Sequence, residues 1–247
     1  MTSARIPLAQ LAQFGSYLAL RDGGTDGDAG FEPVADLLDD TEEGEVRLRA
    51  RIDDVAARLG TTQRWIGASI MFQGWAARLT SIYTGSVVVA GAVPDLSAAR
   101  LRYRTTPDGP VDLLAAPLTV TDPGSRWRLL AGEHIDPLAN AIRRQVRIGR
   151  HLLLGNLASA LAGSLMMLAQ AGHSRLDELT AAAWAQPAEL RRYGQWLTTR
   201  DGPHYARTTC CGYMQLRGGR RCADCALSWR RAAATGPPRN QALGDAS

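Results

Sequence analysis

Apolar residues recur at helical spacing over most of the chain and at strand spacing only in its middle. Residues 1–20 form an amphipathic stretch (Ile6, Leu8, Leu11, Phe14, Tyr17, Leu18) with charge only at Arg5. Residues 22–45 are acidic and glycine-containing, which predicts a mobile loop followed by a short helix. From 42 to 59, Val46, Leu48, Ile52, Val55 and Leu59 come close to a helical period. Thr61 and Thr62 offer a cap for a helix over 63–81, along which Trp65, Phe72, Trp75 and Leu79 make an aromatic stripe of the kind that builds cores.

The period then shortens. Residues 85–93 (GSVVVAGAV) are rich in β-branched side chains and predict a strand. Residues 101–104 and 111–114 flank Pro107-Asp108-Gly109-Pro110, a hairpin signal, and 126–130 (RWRLL) read as a further strand. Helical spacing returns over 134–147, with Ile135, Leu138, Ile142 and Val146 on one face, then over 152–169, 174–184 and 187–199. In the last of these Leu190, Tyr193 and Leu197 share a face, and Pro187 suits a first turn. Periodicity ends near residue 235. The pattern predicts an α+β fold: a mostly helical body, a small antiparallel sheet and a carboxy-terminal cysteine-rich segment. It divides into an N-terminal helical, acidic region (1–60), a body (61–200), the cysteine segment (201–231) and a disordered tail (232–247).

At 247 residues and 45% hydrophobic content the chain can bury a core without disulfides. No lysine occurs. Residues 1–129 carry 13 Arg against 16 Asp and Glu, whereas residues 130–247 carry 15 against 8. A basic half suits an anionic partner, but the arginines are dispersed and no compact nucleic-acid signature accompanies them, so nucleic acid is not expected. The amino terminus lacks the basic start, continuous apolar core and cleavage site of an export signal, which predicts a cytoplasmic protein with reduced thiols. Residues 152–169 (LLLGNLASALAGSLMMLA) are uncharged and follow Arg143, Arg144, Arg147 and Arg150, the flank of a membrane span. Asn156, Ser159, Ser164 and the small residues Gly155, Ala158, Ala162 and Gly163 favour a buried central helix instead. No membrane span is therefore expected, and peripheral contact with a membrane stays open.

The chemistry-bearing segment is TTCCGYMQLRGGRRCADCALSW, in which Cys210, Cys211, Cys222 and Cys225 lie within sixteen residues. Four thiols at this spacing suit one small tetrathiolate site, with the Cys-x-x-Cys turn bringing two sulfurs together. The vicinal pair would point to opposite faces of an extended strand, so joint ligation requires a turned backbone, and Gly212, Gly218 and Gly219 permit one. A disulfide between neighbours is strained. Spacing alone leaves zinc and an iron–sulfur cluster equally open. A Rieske centre lacks its histidines, and neither ferredoxin spacing is present.

The motif CC-x10-C-x2-C, with its GG before the third cysteine and Leu227 after the fourth, resembles the FhuF-like family of ferric siderophore reductases. The segments RWIGASIMFQGWAARL (64–79), HIDPLANAI (134–142) and HLLLGNLASALAG (151–163) are also similar to that family's helical body, so the likeness covers roughly residues 60–230. It implies a [2Fe–2S] cluster held by Cys210, Cys211, Cys222 and Cys225, with residues 61–200 recognising the siderophore. The implied activity is one-electron reduction of siderophore-bound Fe(III) to Fe(II), which loosens the oxygen-donor complex and releases iron.

Positive charge near such a cluster favours its reduced form. Arg207, Arg217, Arg220, Arg221, Arg230 and Arg231 all lie within ten residues of a cysteine. Arg217, Arg220, Arg221 and Trp229 are the candidates for tuning the cluster or touching substrate. The chain has neither a G-x-G-x-x-G turn nor a Walker loop, so the electron is expected from a separate donor, a ferredoxin or an NAD(P)H-dependent reductase. The competing expectation is a zinc-binding, non-enzymatic interaction protein in which the four cysteines only fold the carboxy terminus.

Overall fold

The computed structural model describes residues 6–107, 110–116, 118–121, 123–170, 188–199 and 202–228. The elements run in the order α1 (Leu8–Ala12), β1 (Arg21–Asp22), β2 (Glu32–Pro33), α2 (Val34–Leu38), α3 (Glu42–Arg58), α4 (Arg64–Ala90), β3 (Val93–Pro94), β4 (Leu101–Arg104), β5 (Asp112–Ala115), β6 (Val120–Thr121) and α5 (Pro123–Leu130). A π-helical turn (Ala131–Ile135) then leads into α6 (Asp136–Gln145) and α7 (Arg150–Gln170). A 3-10 turn (Ala188–Tyr193), β7 (Gly194–Thr199), β8 (Gly202–Arg207) and a 3-10 turn at Tyr213–Gln215 complete the described chain. This is the expected α+β arrangement.

Its centre is α4, which packs lengthwise against α7 and on another side against α3. Phe72, Leu79 and Ile82 of α4, Leu48 and Ile52 of α3, and Leu153, Leu157 and Leu161 of α7 are almost wholly buried. Each such side chain contributes about 1.5–3 kcal/mol. The single large core draws on residues from both sides of position 60. Helix α7 is long and apolar enough to cross a membrane, but most of it is buried inside the fold, as the Asn, Ser and small residues along it predict.

The hairpin is where the sequence places it: β4 and β5 pair antiparallel, with Tyr103 opposite Leu113. The sheet is mixed rather than antiparallel, in the order β1-β5-β4-β2, because β1 joins β5 in parallel. Trp75 meets Tyr103 edge-on at 5.8 Å and ties α4 to this sheet. Trp75 and Phe72 are core residues, as the stripe suggests.

Three expectations give way. The strand expected over 85–93 is mostly the last turns of α4, which runs to Ala90 and leaves only Val93–Pro94 extended. β-Branched residues cost a helix only a few tenths of a kcal/mol each, and packing against the amino-terminal Leu11 and Leu18 overrides that preference. The hydroxyls of Thr80 and Thr84 donate to Ala76 O and Thr80 O at 2.8 Å, so they need no partner outside the helix. The strand expected over 126–130 is helical: Trp127 and Leu130, three apart, are buried while Arg128 and Leu129 face out. The helix expected over 187–199 is a 3-10 turn followed by β7, which pairs antiparallel with β8. Trp196 lies opposite Tyr205 there with ring centres 5.4 Å apart, a cross-strand pair that local periodicity does not reveal. The helix expected over 174–184 and the tail lie outside the described residues.

Candidate functional site

Strand β8 delivers the chain to the cysteine segment, and α4 and α7 form the floor beneath it. Thr208 N–H donates to Tyr193 O at 2.8 Å, and Arg207 N–H donates to Asp224 O at 3.1 Å. The second bond folds the end of the segment back onto its beginning. Cys225 N–H donates to Cys222 O at 3.1 Å, closing the Cys-x-x-Cys turn. Gly212 sits at φ +89°, so the chain turns immediately after the vicinal pair. A Cβ at Gly212 would also stand 2.7 Å from the Trp65 ring, so only glycine lets the turn seat on α4.

Cys211 and Cys225 are buried, Cys210 and Cys222 half-buried, and all four are free thiols. The fold brings the Cys211 and Cys222 side chains near enough to influence each other, one from each end of the motif. The neighbouring Cys222 side chain holds the Cys211 thiol below its ordinary value. Burial opposes the shift, and the Arg207 guanidinium assists it. Its Cys211 neighbour, with burial, pushes Cys222 up.

Arg207 is 2% exposed, and its guanidinium is ringed by polar partners. Nη1 donates to Asn156 Oδ1 at 2.9 Å, Nη2 lies 3.6 Å from Cys222 Sγ and 3.3 Å from Asp224 Oδ1, and Nε pairs with Asp224 Oδ2 at 2.9 Å. Burial alone would lower its pKa, but Asp224, Cys211 and Cys222 outweigh burial and raise it. Asn156, wholly buried in α7, donates through Nδ2 to Ser69 O at 3.0 Å and to Ser69 Oγ at 2.9 Å. Ser69, wholly buried in α4, donates to Cys211 O at 2.8 Å. A closed polar chain thus runs from one cysteine backbone through both central helices to the other cysteine's sulfur.

Sequence reasoning did not foresee Ser69 or Asn156 as parts of the site. Their signal was a lone amide and a hydroxyl in otherwise apolar helices, which marks burial without naming a partner. Arg217, Arg220 and Arg221 are exposed, and the guanidinium set on a sulfur is that of Arg207 instead. Trp229, Arg230 and Arg231 lie outside the described residues.

Beside the segment, an open pocket of about 350 Å³ lies between α4, α7 and β8. Gln73, Ser159 and Ser164 line it together with His204, and one wall is Ala223 and Asp224 of the Cys-x-x-Cys turn. A small molecule seated there would lie against the cysteine turn itself.

Two arrangements of thiolates differ in what they ask of this geometry. A single zinc ion takes four sulfurs around one centre. A two-iron cluster with four cysteine ligands takes sulfurs two to each iron. Among the described residues no three Cys, His, Asp or Glu converge on one point, so the match to either group is in donor type and charge: four cysteines on one short segment and a buried guanidinium that offsets thiolate charge. No protein-family model and no curated protein matches this chain.

Proposed function

We propose that this chain is a cytoplasmic ferric siderophore reductase that passes single electrons to chelated Fe(III) through a [2Fe–2S] cluster on Cys210, Cys211, Cys222 and Cys225. The proposal joins the likeness of the cysteine motif to the FhuF-like reductases with one observation, the buried Arg207 guanidinium set 3.6 Å from the Cys222 sulfur. When bound, the cluster supplies a one-electron couple.

The chain's own residues do the rest. Ser69 and Asn156 hold the Cys211 carbonyl and the Arg207 fork in place from two rigid helices. Arg207 keeps positive charge against the sulfurs, and the helices shut water away from that side. The cavity bordered by Asp224 gives a chelate a seat next to the turn that carries Cys222 and Cys225. One electron arrives from an external donor, a ferredoxin or NAD(P)H-dependent reductase, and Fe(III) leaves as the more loosely held Fe(II). The step needs no acid, base or nucleophile.

Anaerobic isolation tests this. The expected protein is red-brown with about two irons and about two acid-labile sulfides per chain, and its dithionite-reduced form is reoxidised by ferric siderophores. A colourless protein with one zinc would establish the zinc-stapled interaction protein instead. Turnover of NADPH with a ferric chelate and no added mediator would remove the need for a separate donor.

A further inference from the structure

The only buried guanidinium beside the sulfurs, among the described residues, belongs to Arg207, and its burial sets it apart from the exposed arginines around it. We infer that Arg207 and Asp224 form an opposed pair of charges that sets the reduction potential of the cysteine site, with Asn156 and Ser69 fixing the distance at which Arg207 acts. This rests on the reading of the cysteines as cluster ligands given above.

Position and burial carry the argument. Arg207 Nη2 stands 3.6 Å from Cys222 Sγ, and the side chain is shut off from solvent. A charge interacts far more strongly at such range in a poorly polarisable surrounding than across water, and salt does not screen it there. The reduced cluster carries one more negative charge than the oxidised one, so Arg207 favours reduction and Asp224, on the same turn, disfavours it. A fork held on one side by Asn156 and on the other by Asp224 cannot swing away. Asn156 in turn is held by two bonds to Ser69, whose hydroxyl also grips the Cys211 carbonyl. Three segments far apart in sequence thus fix one charge-to-sulfur distance. The exposed Arg217, Arg220 and Arg221 lack any such constraint.

The experiment is a redox titration of the cluster-loaded protein, followed by its visible spectrum, for wild type, Arg207→Met, Arg207→Lys and Asp224→Asn. Thermal midpoints are measured alongside. Arg207→Met is expected to lower the reduced-to-oxidised ratio at fixed ambient potential at least tenfold, about 59 mV for a one-electron couple. Asp224→Asn is expected to raise the ratio, and Arg207→Lys, which keeps the charge, to stay closer to wild type than Arg207→Met does. Opposite signs for Arg207→Met and Asp224→Asn separate a charge effect from a packing effect, because a structural role lowers the thermal midpoint of both and moves neither potential.

The assignment is overturned if the two potentials stay within a twofold ratio of wild type or move the same way. It is equally overturned if neither variant assembles a cluster that wild type holds, since the pair would then be structural. Iron and sulfide missing from the wild-type protein would instead sink the reductase proposal, and this assignment with it.

Discussion

A Cβ placed on Gly155 of α7 would lie 1.9 Å from the hydroxyl oxygen of Thr209. The helix carrying Asn156 can approach the cysteine segment only because the residue before Asn156 has no side chain. Gly155→Ala therefore forces α7 and the segment apart, and overpacking of this kind costs about 1–3 kcal/mol. Thr209 Oγ1 is buried without a hydrogen-bond partner, so its loss by itself is tolerated. The double variant Gly155→Ala/Thr209→Ala should recover at least half of the cost, leaving a residual 3.0 Å contact with the remaining Cβ. Denaturant midpoints of the four proteins in a double-mutant cycle measure the coupling. Additive losses would show that the two residues do not meet as described.

That relationship illustrates what the sequence could and could not disclose. The run containing Gly155 and Asn156 carries enough small and polar residues to predict a buried helix, and the helix is buried. Nothing local, however, names Arg207 as the partner of Asn156 at 51 residues' remove, or Ser69 at 87. The cysteine segment was legible because its four cysteines are close in sequence and its glycines announce a turn. The β4–β5 hairpin was legible for the same reason. Residues 188–199 misled because Leu190, Tyr193 and Leu197 fit a helical face, while the pairing of Trp196 with Tyr205 that makes β7 a strand is a contact between chains of residues a periodicity count does not join. The end of α4 misled because three consecutive valines carry a β preference weaker than the packing of a long helix.

His134 gives the fold a sensitivity to acid. It is fully buried, its Nε2–H donates to Leu96 O, and Nδ1 has no hydrogen-bond partner. Burial lowers its pKa, against the opposing pull of the Leu96 bond and of Glu133. The neutral ring is thus the native form, and the unfolded chain binds a proton that the native one does not. The stability from this group is present above the unfolded value of about 6.5 and falls as pH drops below it, by at most about 1.4 kcal/mol per pH unit. Unfolding midpoints between pH 7.5 and 5 should show that loss. His134→Gln, which keeps a donor for Leu96 and removes the titration, should flatten it. An equal slope in both proteins would place the sensitivity elsewhere.

Arg78 clamps the amino-terminal segment to the core. It is 1% exposed, and it donates to Val111 O at 2.7 Å, to Ser16 O at 2.9 Å, and to the carbonyls of Tyr17 and Ala19. Burial brings its pKa down to about 10, so it stays charged at neutral pH. A lysine there has three donors on a compact head and cannot reach both Val111 and the 16–19 turn. Arg78→Lys should cost about 2–4 kcal/mol, since hydrogen bonds made by a charged group contribute about 1.5–3 kcal/mol each. Limited proteolysis should then cut near residues 16–19 before the rest of the chain. Uniform resistance along the chain would show that Arg78 supports the core without holding that segment.

Arg217, Arg220 and Arg221 lie exposed on the loop between the two cysteine pairs, where they neither bury surface nor touch the sulfurs as Arg207 does. Exposed charges of this kind contribute little to stability, so replacing all three by glutamine should move the unfolding free energy by no more than about 1 kcal/mol and leave the iron and sulfide content intact. Their effect is expected at longer range. Under the proposed function, three like charges on the cysteine loop would draw an acidic protein donor towards it, an attraction screened beyond about 10 Å at 0.1 M salt. Stopped-flow reduction by an acidic ferredoxin should be slower in the triple variant at low ionic strength, and the difference should vanish at high salt. A small neutral reductant should reduce both proteins at one rate. If the acidic donor also fails to distinguish them at low salt, the donor docks on another face and these arginines are only a solvated rim.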